Sequence, residues 1–319
     1  MKAALVSAPG QTPAYGDFAD PMPDANERRI SVTAAAISHL TRARAAGTHY
    51  SAPGTFPFVV GIDGVGRSDD GQRVYFALPR APYGSMAETT VVTPAQCTAI
   101  PNDLDDVTAA AIANPGMSSW AAYAERAQLQ AGETVLVNGA TGTAGRLAVQ
   151  IAKYLGAKKV IATGRNTETL KSLEALGADV TIALAQDEQV LEASFNEQFA
   201  EGVDVVIDYL WGRSAERLLI AGAKATDVCE PIRFVQVGSA SGMDIALPSA
   251  VLRAAPIELM GSGIGSVPLS RLIDAVGKLL RATTRGGFKI ATRSVPLSKV
   301  ATAWHDDDST GRTVFIPDA

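Results

Sequence analysis

The sequence is poor in cysteine, and its two cysteines, Cys97 and Cys229, lie far apart in a chain of 319 residues. Two distant thiols form neither a four-thiolate zinc site nor a disulfide framework by themselves. This composition is typical of a reducing compartment, and we expect the protein in the cytoplasm.

Charge of either sign is also scarce. Charged residues make up 19% of the chain, and 28 Lys and Arg against 33 Asp and Glu leave a net charge of −5. A nucleic-acid binder normally shows an excess of Lys and Arg, so we expect no nucleic-acid partner. The longest charge-free stretch, residues 107–124, is interrupted by Asn114, Pro115 and Gly116, and we interpret it as a loop between two helices. We therefore expect no membrane partner.

Short runs of β type, separated by Gly and Pro, fill the first hundred residues, where helix signals are scarce. These runs are 2–7, 30–37, 58–67, 72–77 and 86–93. From about residue 118, apolar runs alternate with helical stretches, as in a parallel sheet that crossover helices cover on both faces. The six runs are 134–138, 160–163, 180–184, 203–210, 234–238 and 257–260. They predict an α/β fold with a doubly wound dinucleotide-binding sheet.

The end of the chain returns to the character of its beginning. After Gly265 a predicted helix, 269–280, leads to two β-type segments, 288–296 and 313–317. We therefore predict a β-rich domain over residues 1–116, an α/β domain over 117–266, and a return of the first domain over 267–319.

Residues 134–156, TVLVNGATGTAGRLAVQIAKYLG, carry the most informative pattern. An apolar strand runs into a glycine turn, and the helix that follows has apolar residues at 144, 147, 148, 151, 152 and 155, on one face. Gly142 would let the backbone approach a pyrophosphate, Gly145 would let the helix pack on the strand, and Ala140 stands where the Gly-x-Gly-x-x-Gly pattern usually begins. We predict a bound dinucleotide held by Gly139, Ala140, Thr141, Gly142, Thr143, Ala144 and Gly145.

The residues after the next apolar run indicate which dinucleotide binds. An NAD-selective fold places an acidic side chain there, and residues 160–166, VIATGRN, contain none. Gly164 leaves room, Arg165 offers a planar charged fork for a 2′-phosphate, and we place Asn166 in the same site. A solvated loop cation is the alternative interpretation of Arg165. The pattern favours NADP(H) over NAD(H).

Together these motifs resemble those of the medium-chain dehydrogenase/reductases, in particular the zinc-independent quinone oxidoreductase group that includes zeta-crystallin-like proteins. The resemblance covers nearly the whole chain and also rests on PFVVGIDGVG (57–66), GQRV (71–74), GSMAE (84–88), LGAD (176–179), VDVVID (203–208) and GRTVF (311–315). It implies a GroES-like β-rich catalytic domain, a Rossmann domain with a doubly wound, parallel six-stranded sheet, NADP(H) as cofactor, and a homodimer joined at residues 257–260.

The resemblance raises the question of zinc, because the alcohol dehydrogenases of this superfamily use a catalytic zinc. Zinc needs thiolate or imidazole ligands, and the three matching positions hold Ser38, Ile62 and Asn114. The Cys-rich lobe of a structural zinc is missing as well. We therefore expect no metal.

A site without a metal suits acceptors that are already electrophilic. We predict NADPH-dependent reduction of quinones or other activated carbonyl compounds by hydride transfer in an interdomain cleft, where the oxyanion formed needs only a hydrogen bond or a proton. An NADPH-dependent enone or enal (enoyl) reductase, related to the enoyl-reductase modules of polyketide synthases, is the alternative enzyme. A cofactor-binding protein with a non-catalytic role is the alternative of another class.

Three residues are candidates for the catalytic end. The family's quinone reductases usually show Asn where Ser38 stands, and a Tyr after a glycine that Tyr50 matches with one extra residue before it. Tyr50 either donates a hydrogen bond to a carbonyl oxygen or packs its ring in a loop. Tyr209 either stacks near the nicotinamide or serves packing. The resemblance adds cofactor-facing residues: Asn114, Met117, Tyr209, Leu210, Gly238, Ser239, Gly261, Ser262 and Gly263.

Overall fold

A computed structural model describes residues 1–49, 54–225, 231–306 and 311–318. The chain forms two units, one of Met1–Met117 with Leu269–Ala319 and one of Ser118–Pro268. No helix in the described part of the chain is both long enough and apolar enough to cross a bilayer.

Sixteen strands and nine α-helices are found among the described residues. The strands are β1 (Lys2–Val6), β2 (Ala14–Asp17), β3 (Arg28–Ala36), β4 (Phe58–Val59), β5 (Asp63–Ser68), β6 (Arg73–Ala77), β7 (Thr89–Val92), β8 (Cys97–Ala99), β9 (Thr134–Asn138), β10 (Lys159–Gly164), β11 (Val180–Ala183), β12 (Val205–Asp208), β13 (Ile232–Gln236), β14 (Ile257–Gly261), β15 (Thr292–Pro296) and β16 (Arg312–Ile316). The helices are α1 (His39–Ala45), α2 (Asp106–Ala121), α3 (Thr143–Tyr154), α4 (Thr167–Ser172), α5 (Glu188–Glu201), α6 (Gly212–Lys224), α7 (Val251–Ala254), α8 (Leu269–Gly286) and α9 (Val300–Ala303).

The first unit is β-rich. It contains a three-stranded sheet in the order β2-β1-β4 and a seven-stranded sheet in the order β15-β16-β3-β5-β6-β8, with β7 paired to β3. The C-terminal segment supplies β15 and β16, and β16 pairs antiparallel with β3 through Val314 and Ala36. The beginning and the end of the chain therefore share one sheet.

The second unit is a parallel six-stranded sheet in the order β11-β10-β9-β12-β13-β14. Each of the six apolar runs in the sequence overlaps one of these strands, and the expected fold class is confirmed. Strands β9 and β12 are buried along their whole length, because helices lie over both faces of such a sheet. The carboxyl ends of all six strands consequently lie at one edge.

The prediction of a loop over residues 107–124 is wrong. Helix α2 continues through Pro115 and ends at Ala121. Proline removes one backbone hydrogen bond from a helix, but the residues before it, from Ala109 to Ala113, are fully buried and their packing outweighs that loss. Gly116 is needed for this packing, since a Cβ there would lie 2.6 Å from Cδ2 of Leu279.

The single β run predicted for residues 58–67 is divided into β4 and β5. Gly61 lies between them with φ of 104°, and a Cβ there would lie 2.2 Å from the Ser85 hydroxyl oxygen. The break is therefore imposed by a left-handed backbone conformation and by the close approach of a second segment.

Asp63 is a buried carboxyl group at the start of β5. The Tyr75 hydroxyl donates a hydrogen bond to its Oδ2 atom at 3.2 Å. Burial raises the pKa of Asp63 to about 6, and the attraction of the Arg312 guanidinium and the Tyr75 hydrogen bond offset only part of that rise. The folded protein therefore holds a proton on Asp63 at pH values where the unfolded chain has lost it.

This raised pKa predicts a pH-dependent difference between the wild type and Asp63→Asn. The stabilising contribution of the protonated carboxyl is complete below the unfolded pKa of 3.8 and is lost as pH rises to about 6. Over that window the wild type should lose about 3 kcal/mol relative to the variant. Urea unfolding of both proteins across this pH range measures the difference, and parallel pH profiles would contradict the buried titration.

Candidate functional site

The loop between β9 and α3 is shaped by two close backbone contacts. Gly139 has φ of 89°, and a Cβ at this residue would lie 2.8 Å from the Leu210 side chain. A Cβ at Gly145 would lie 2.4 Å from the carbonyl oxygen of Gly139. Both glycines are required by packing, and Gly145 holds the start of α3 against the strand end as the sequence pattern predicts.

Helix α3 begins without a side-chain cap in the described chain. Its N-cap is Gly142, and no acidic residue lies in the first turn. In contrast, α1, α4 and α5 are capped by Ser38, Asn166 and Asp187. A Cβ at Gly142 would have no atom within 4 Å, so space is open beside it. The first N–H groups of α3 are thus available to an anion, and the helix dipole favours one there.

Asn138, the last residue of β9, joins three strand ends. Its amide nitrogen donates to Oδ1 of Asp208 at 2.8 Å and to the Ser214 hydroxyl at 2.9 Å. Its amide oxygen accepts from the Thr163 hydroxyl at 2.7 Å. The Gly139 N–H in turn donates to the Thr163 hydroxyl oxygen at 3.2 Å. The network ties β9, β10 and β12 together directly beneath the glycine loop.

Asp208 ends β12 as a fully buried carboxyl group. Burial raises its pKa, while hydrogen bonds from the Leu210 N–H, the Asn138 amide and the Trp211 N–H act in the opposite direction. These bonds fold the chain after β12 into a tight turn, in which Trp211 has φ of 57°. A non-glycine residue in this conformation is strained, and the Asp208 hydrogen bonds hold it there.

Tyr209 follows β12 and is partly exposed. Its hydroxyl lies 2.7 Å from the Ser119 hydroxyl, which donates to the Ala144 carbonyl at 3.2 Å. Because a serine hydroxyl has one proton, the phenol is then the donor in the contact with Ser119. Burial raises the pKa of Tyr209 to about 12. The phenol therefore keeps its proton and supports the start of α3.

The strand ends beyond β12 approach the same loop. A Cβ at Gly238 would lie 2.8 Å from the Tyr209 carbonyl oxygen, so glycine is required by this contact. The Gln236 side chain donates to the Gly238 carbonyl, and the Ser262 N–H donates to the Gln236 carbonyl. A Cβ added at Gly261 or Gly263 would have no atom within 4 Å, so space is open beside both residues. The Ser239 hydroxyl contacts the Met243 sulfur. The structure therefore brings the predicted residues of β12, β13 and β14 to one edge.

Arg165 follows β10 with an exposed side chain, and it forms no hydrogen bond or ion pair with any described residue. The space at Gly164, however, is already occupied, since a Cβ there would lie 2.4 Å from Cγ2 of Thr141. The glycine thus serves contact with the loop rather than room for a ligand. The Arg146 guanidinium donates to the Thr141 carbonyl at 3.1 Å, so a second arginine lies at this loop. Asn166 Oδ1 accepts from the Thr169 N–H and caps α4.

A cavity of about 360 Å³ opens beside these residues. Its wall includes Leu184, whose N–H donates to the Gly164 carbonyl at 2.8 Å, and Ser214, which contacts Asn138. Arg213 and Arg217 also line it, and both pair with the Glu188 carboxylate. The volume is within the range of pockets that bind small organic molecules.

The remaining predicted residues belong to the first unit. Ser38 is buried and caps α1, accepting from the Thr41 N–H at 3.0 Å, with its hydroxyl 2.9 Å from that of Thr41. Asn114 and Met117 lie half-buried on α2, and the Asn114 amide has no hydrogen-bond partner among the described residues. Tyr50 lies outside the described residues.

The sequence reasoning missed the polar groups that shape the edge, namely Asn138, Thr163, Asp208 and Ser119. A signal for three of them was present, because each is a polar residue that ends an otherwise apolar strand run. A buried polar side chain must find a partner, and the partners of these three are one another. Ser119 carries no such signal, since it lies within a helix.

The positions matched to zinc ligands do not fit that metal. Ser38, Ile62 and Asn114 offer neither thiolate nor imidazole. Among the described residues no group of three or more His, Cys, Asp or Glu side chains is arranged to hold a metal ion.

Comparison with known proteins identifies the family. A family model described as zinc-binding dehydrogenase matches residues 144–280. A protein described as a probable NADPH-dependent quinone reductase, tdiC of Emericella nidulans, is 31% identical over 99% of this chain and 100% of its own length. The NADPH-dependent alkenal/one oxidoreductase of Arabidopsis thaliana is 26% identical over 84% of this chain and 72% of that protein.

The fold has a close counterpart among solved structures. The crystal structure of a probable oxidoreductase from Mycobacterium abscessus is 26% identical, superposes with a TM-score of 0.80, and covers 99% of each chain. Like the sequence motifs, this similarity extends over nearly the whole chain. The chain belongs to the medium-chain dehydrogenase/reductase superfamily and, within it, to the quinone oxidoreductase group.

Proposed function

We propose that the protein is an NADPH-dependent oxidoreductase that reduces quinones or other activated carbonyl compounds without zinc. The observation that carries the proposal is the uncapped start of α3, packed on β9 through Gly145 and open to space at Gly142. Full-length similarity to the quinone reductase tdiC supports the choice of cofactor and acceptor.

The residues at the sheet edge fit a dinucleotide phosphate. The pyrophosphate would be held by the N–H groups at the start of α3, where no carboxylate competes. The Arg165 guanidinium, which pairs with no described residue, would hold the 2′-phosphate, and the cavity at Leu184 would accept the adenosine end. Asn166 lies at the start of the next helix, where its amide N–H₂ group is free of the capping bond.

Bound NADPH supplies a hydride at its nicotinamide ring. For the nicotinamide end we propose Leu210 and the segments Gly238–Ser239 and 261–263 at the strand ends. Asn114 and Met117 on α2 remain proposed cofactor-binding residues. Tyr209 acts in this proposal as a partly exposed wall rather than as an acid, because its proton is committed to Ser119 and its pKa is about 12. Ser38 and Tyr50 remain the proposed residues for the acceptor.

The chemistry of the donor set supports a reaction without zinc. A hydroxyl, an alkyl group and an amide replace the usual ligands at Ser38, Ile62 and Asn114. Without a Lewis acid to polarise a simple ketone, only acceptors that are electrophilic by themselves should react. Quinones and α,β-unsaturated carbonyl compounds have this property.

An enone or alkenal reductase is the second candidate. The similarity to the alkenal/one oxidoreductase of Arabidopsis thaliana over most of the chain favours it. Both candidates share the same proposed cofactor residues and differ in the acceptor.

Substitution of Arg165 tests the cofactor assignment. Arg165→Ala should weaken NADPH binding about fivefold to a hundredfold and leave NADH binding nearly unchanged, because only NADPH carries the 2′-phosphate. Dissociation constants from cofactor fluorescence titration give the comparison. Arg253→Ala, which removes an exposed arginine from the same unit, is the control and should change neither constant. Equal losses for NADPH and NADH would show that Arg165 does not hold the 2′-phosphate.

Acceptor turnover tests the reaction. The purified protein should oxidise NADPH in the presence of quinones or enones, leave simple ketones unreduced, and keep its rate when a zinc chelator is added. Absorbance of the reduced nicotinamide follows the reaction, with NADH as the comparison cofactor. Loss of activity on chelation would contradict the zinc-free reaction, and NADPH binding without any turnover would favour the non-catalytic alternative.

A homodimer joined along β14 is a further part of the proposal. This strand is an outer strand of the six-stranded sheet, and Leu259 on it is exposed. An apolar outer strand with free backbone groups can pair with a second copy. Light scattering should give twice the chain mass, and a charged substitution, Leu259→Lys, should lower it. A monomeric mass for the wild type would contradict the dimer.

The cytoplasm remains a prediction from the sequence. It rests on the low cysteine content, two residues in 319.

A further inference from the structure

Arg44, in the last turn of α1, differs from the other arginine of that turn in having no partner among the described residues. Arg42 donates to the carbonyl oxygens of Trp304 and Asp306 at 3.1 and 3.0 Å. The Arg44 guanidinium is half-buried, yet it forms no hydrogen bond or ion pair with a described residue. Five N–H donors and a positive charge are therefore held partly out of water without an acceptor.

The pKa of Arg44 also indicates that no acidic group in the described part of the chain lies near its guanidinium. Burial lowers the pKa of Arg44, and no acidic neighbour acts in the opposite direction. The dipole of α1 favours a cation at this end, but it provides no acceptor for the guanidinium N–H groups. The pKa of His49 is lowered first by burial and then by the charge of Arg44.

Arg44 lines a narrow cavity of the first unit, about 20 Å³ in volume. Its wall is mostly apolar, with Phe58, Ile62 and Pro82, and no Asp or Glu lines it. Thr41 and Tyr83 add hydroxyl groups. A volume of this size accepts one or two water-sized groups, such as the head of a small ligand, but not a phosphate ester together with its substituent.

We propose that the cavity beside Arg44 binds the carboxylate of a small apolar monocarboxylic acid. A guanidinium and a carboxylate match as two planar groups joined by two parallel hydrogen bonds, and the charge of the ligand offsets the desolvation of Arg44. Since the cavity has room only for the carboxylate head, the alkyl or aryl part of the acid extends past the apolar residues at its edge. All residues that line this cavity lie in the first unit, and carboxylate binding there can be measured without cofactor or turnover.

Calorimetric titration of the full-length protein with sodium benzoate and sodium acetate tests the site, without cofactor or acceptor. Ionic strength is kept constant with sodium chloride, so chloride is the competing ion. The wild type should bind benzoate with one saturable site, and Arg44→Gln should bind at least about tenfold more weakly. Arg44→Lys should retain part of the affinity, because it keeps the charge and loses the planar fork. Arg281→Gln, which removes an exposed arginine from α8 in the same unit, should bind as the wild type does.

The NMR titration of His49 provides a second readout that does not require heat of binding. Saturation with benzoate should raise the His49 pKa in the wild type, because the bound carboxylate offsets the charge of Arg44. In Arg44→Gln the His49 pKa should already be raised, and benzoate should not move it further. The comparison requires that Arg44→Gln has the same thermal unfolding midpoint as the wild type. If Arg44→Gln is less stable, Arg44→Lys is used in its place.

Three results would overturn the proposal. One is heat that does not saturate with benzoate in the wild type. Another is equal benzoate affinity in the wild type and Arg44→Gln. The third is displacement of benzoate by chloride at equal concentration, which would show a site for any small anion. None of these results bears on NADPH oxidation, so the proposed reductase activity is judged separately.

Discussion

The second unit depends on one buried amide. Strands of a parallel sheet covered on both faces have no water to satisfy polar groups, so a polar side chain is tolerated only where protein atoms pair with it. Asn138 meets this condition with Asp208, Thr163 and Ser214. These partners lie near the ends of β10 and β12 or in the first turn of α6, so the same hydrogen bonds hold together the places where three chain segments leave the sheet. The glycine loop and the strained turn at Trp211 both start from that point.

Where the fold follows from local pattern, the sequence predicts it well. The apolar runs in the sequence overlap all six parallel strands, because a strand that is buried on both faces appears in the sequence as a continuous run of apolar residues. The sequence prediction fails where a contact with a residue distant in the sequence determines the local structure. The contact of Gly116 with Leu279 lets α2 continue through Pro115, and the contact of Gly61 with Ser85 divides one strand into two. Neither partner is within reach of a local window.

In the candidate site, too, features set by neighbouring residues are predictable from the sequence, and features set by distant contacts are not. The packing role predicted for Gly145 agrees with the structure, because that role is set by the strand and helix on either side of it. The role predicted for Gly164 is different in the structure, since the Thr141 side chain takes the space that the sequence leaves empty. Ser119 and its contact with Tyr209 could not be found, because the two residues are joined only by the folding of the chain. Composition likewise shows how many arginines the chain has, but not which of them lacks an acceptor.

The division of the first unit between the two ends of the chain has a consequence for biosynthesis. Residues 118–268 are continuous, so all six strands of the second unit can pair as soon as that stretch has left the ribosome. The first unit cannot do this, because β16 covers one side of β3, and Leu297, Trp304 and Phe315 complete its core around Ala4 and Phe58. These side chains are translated after residues 118–268. The β-rich segment made first therefore keeps an open strand edge until residues 297–316 have been made, and an unpaired edge of this kind is prone to aggregation in that interval.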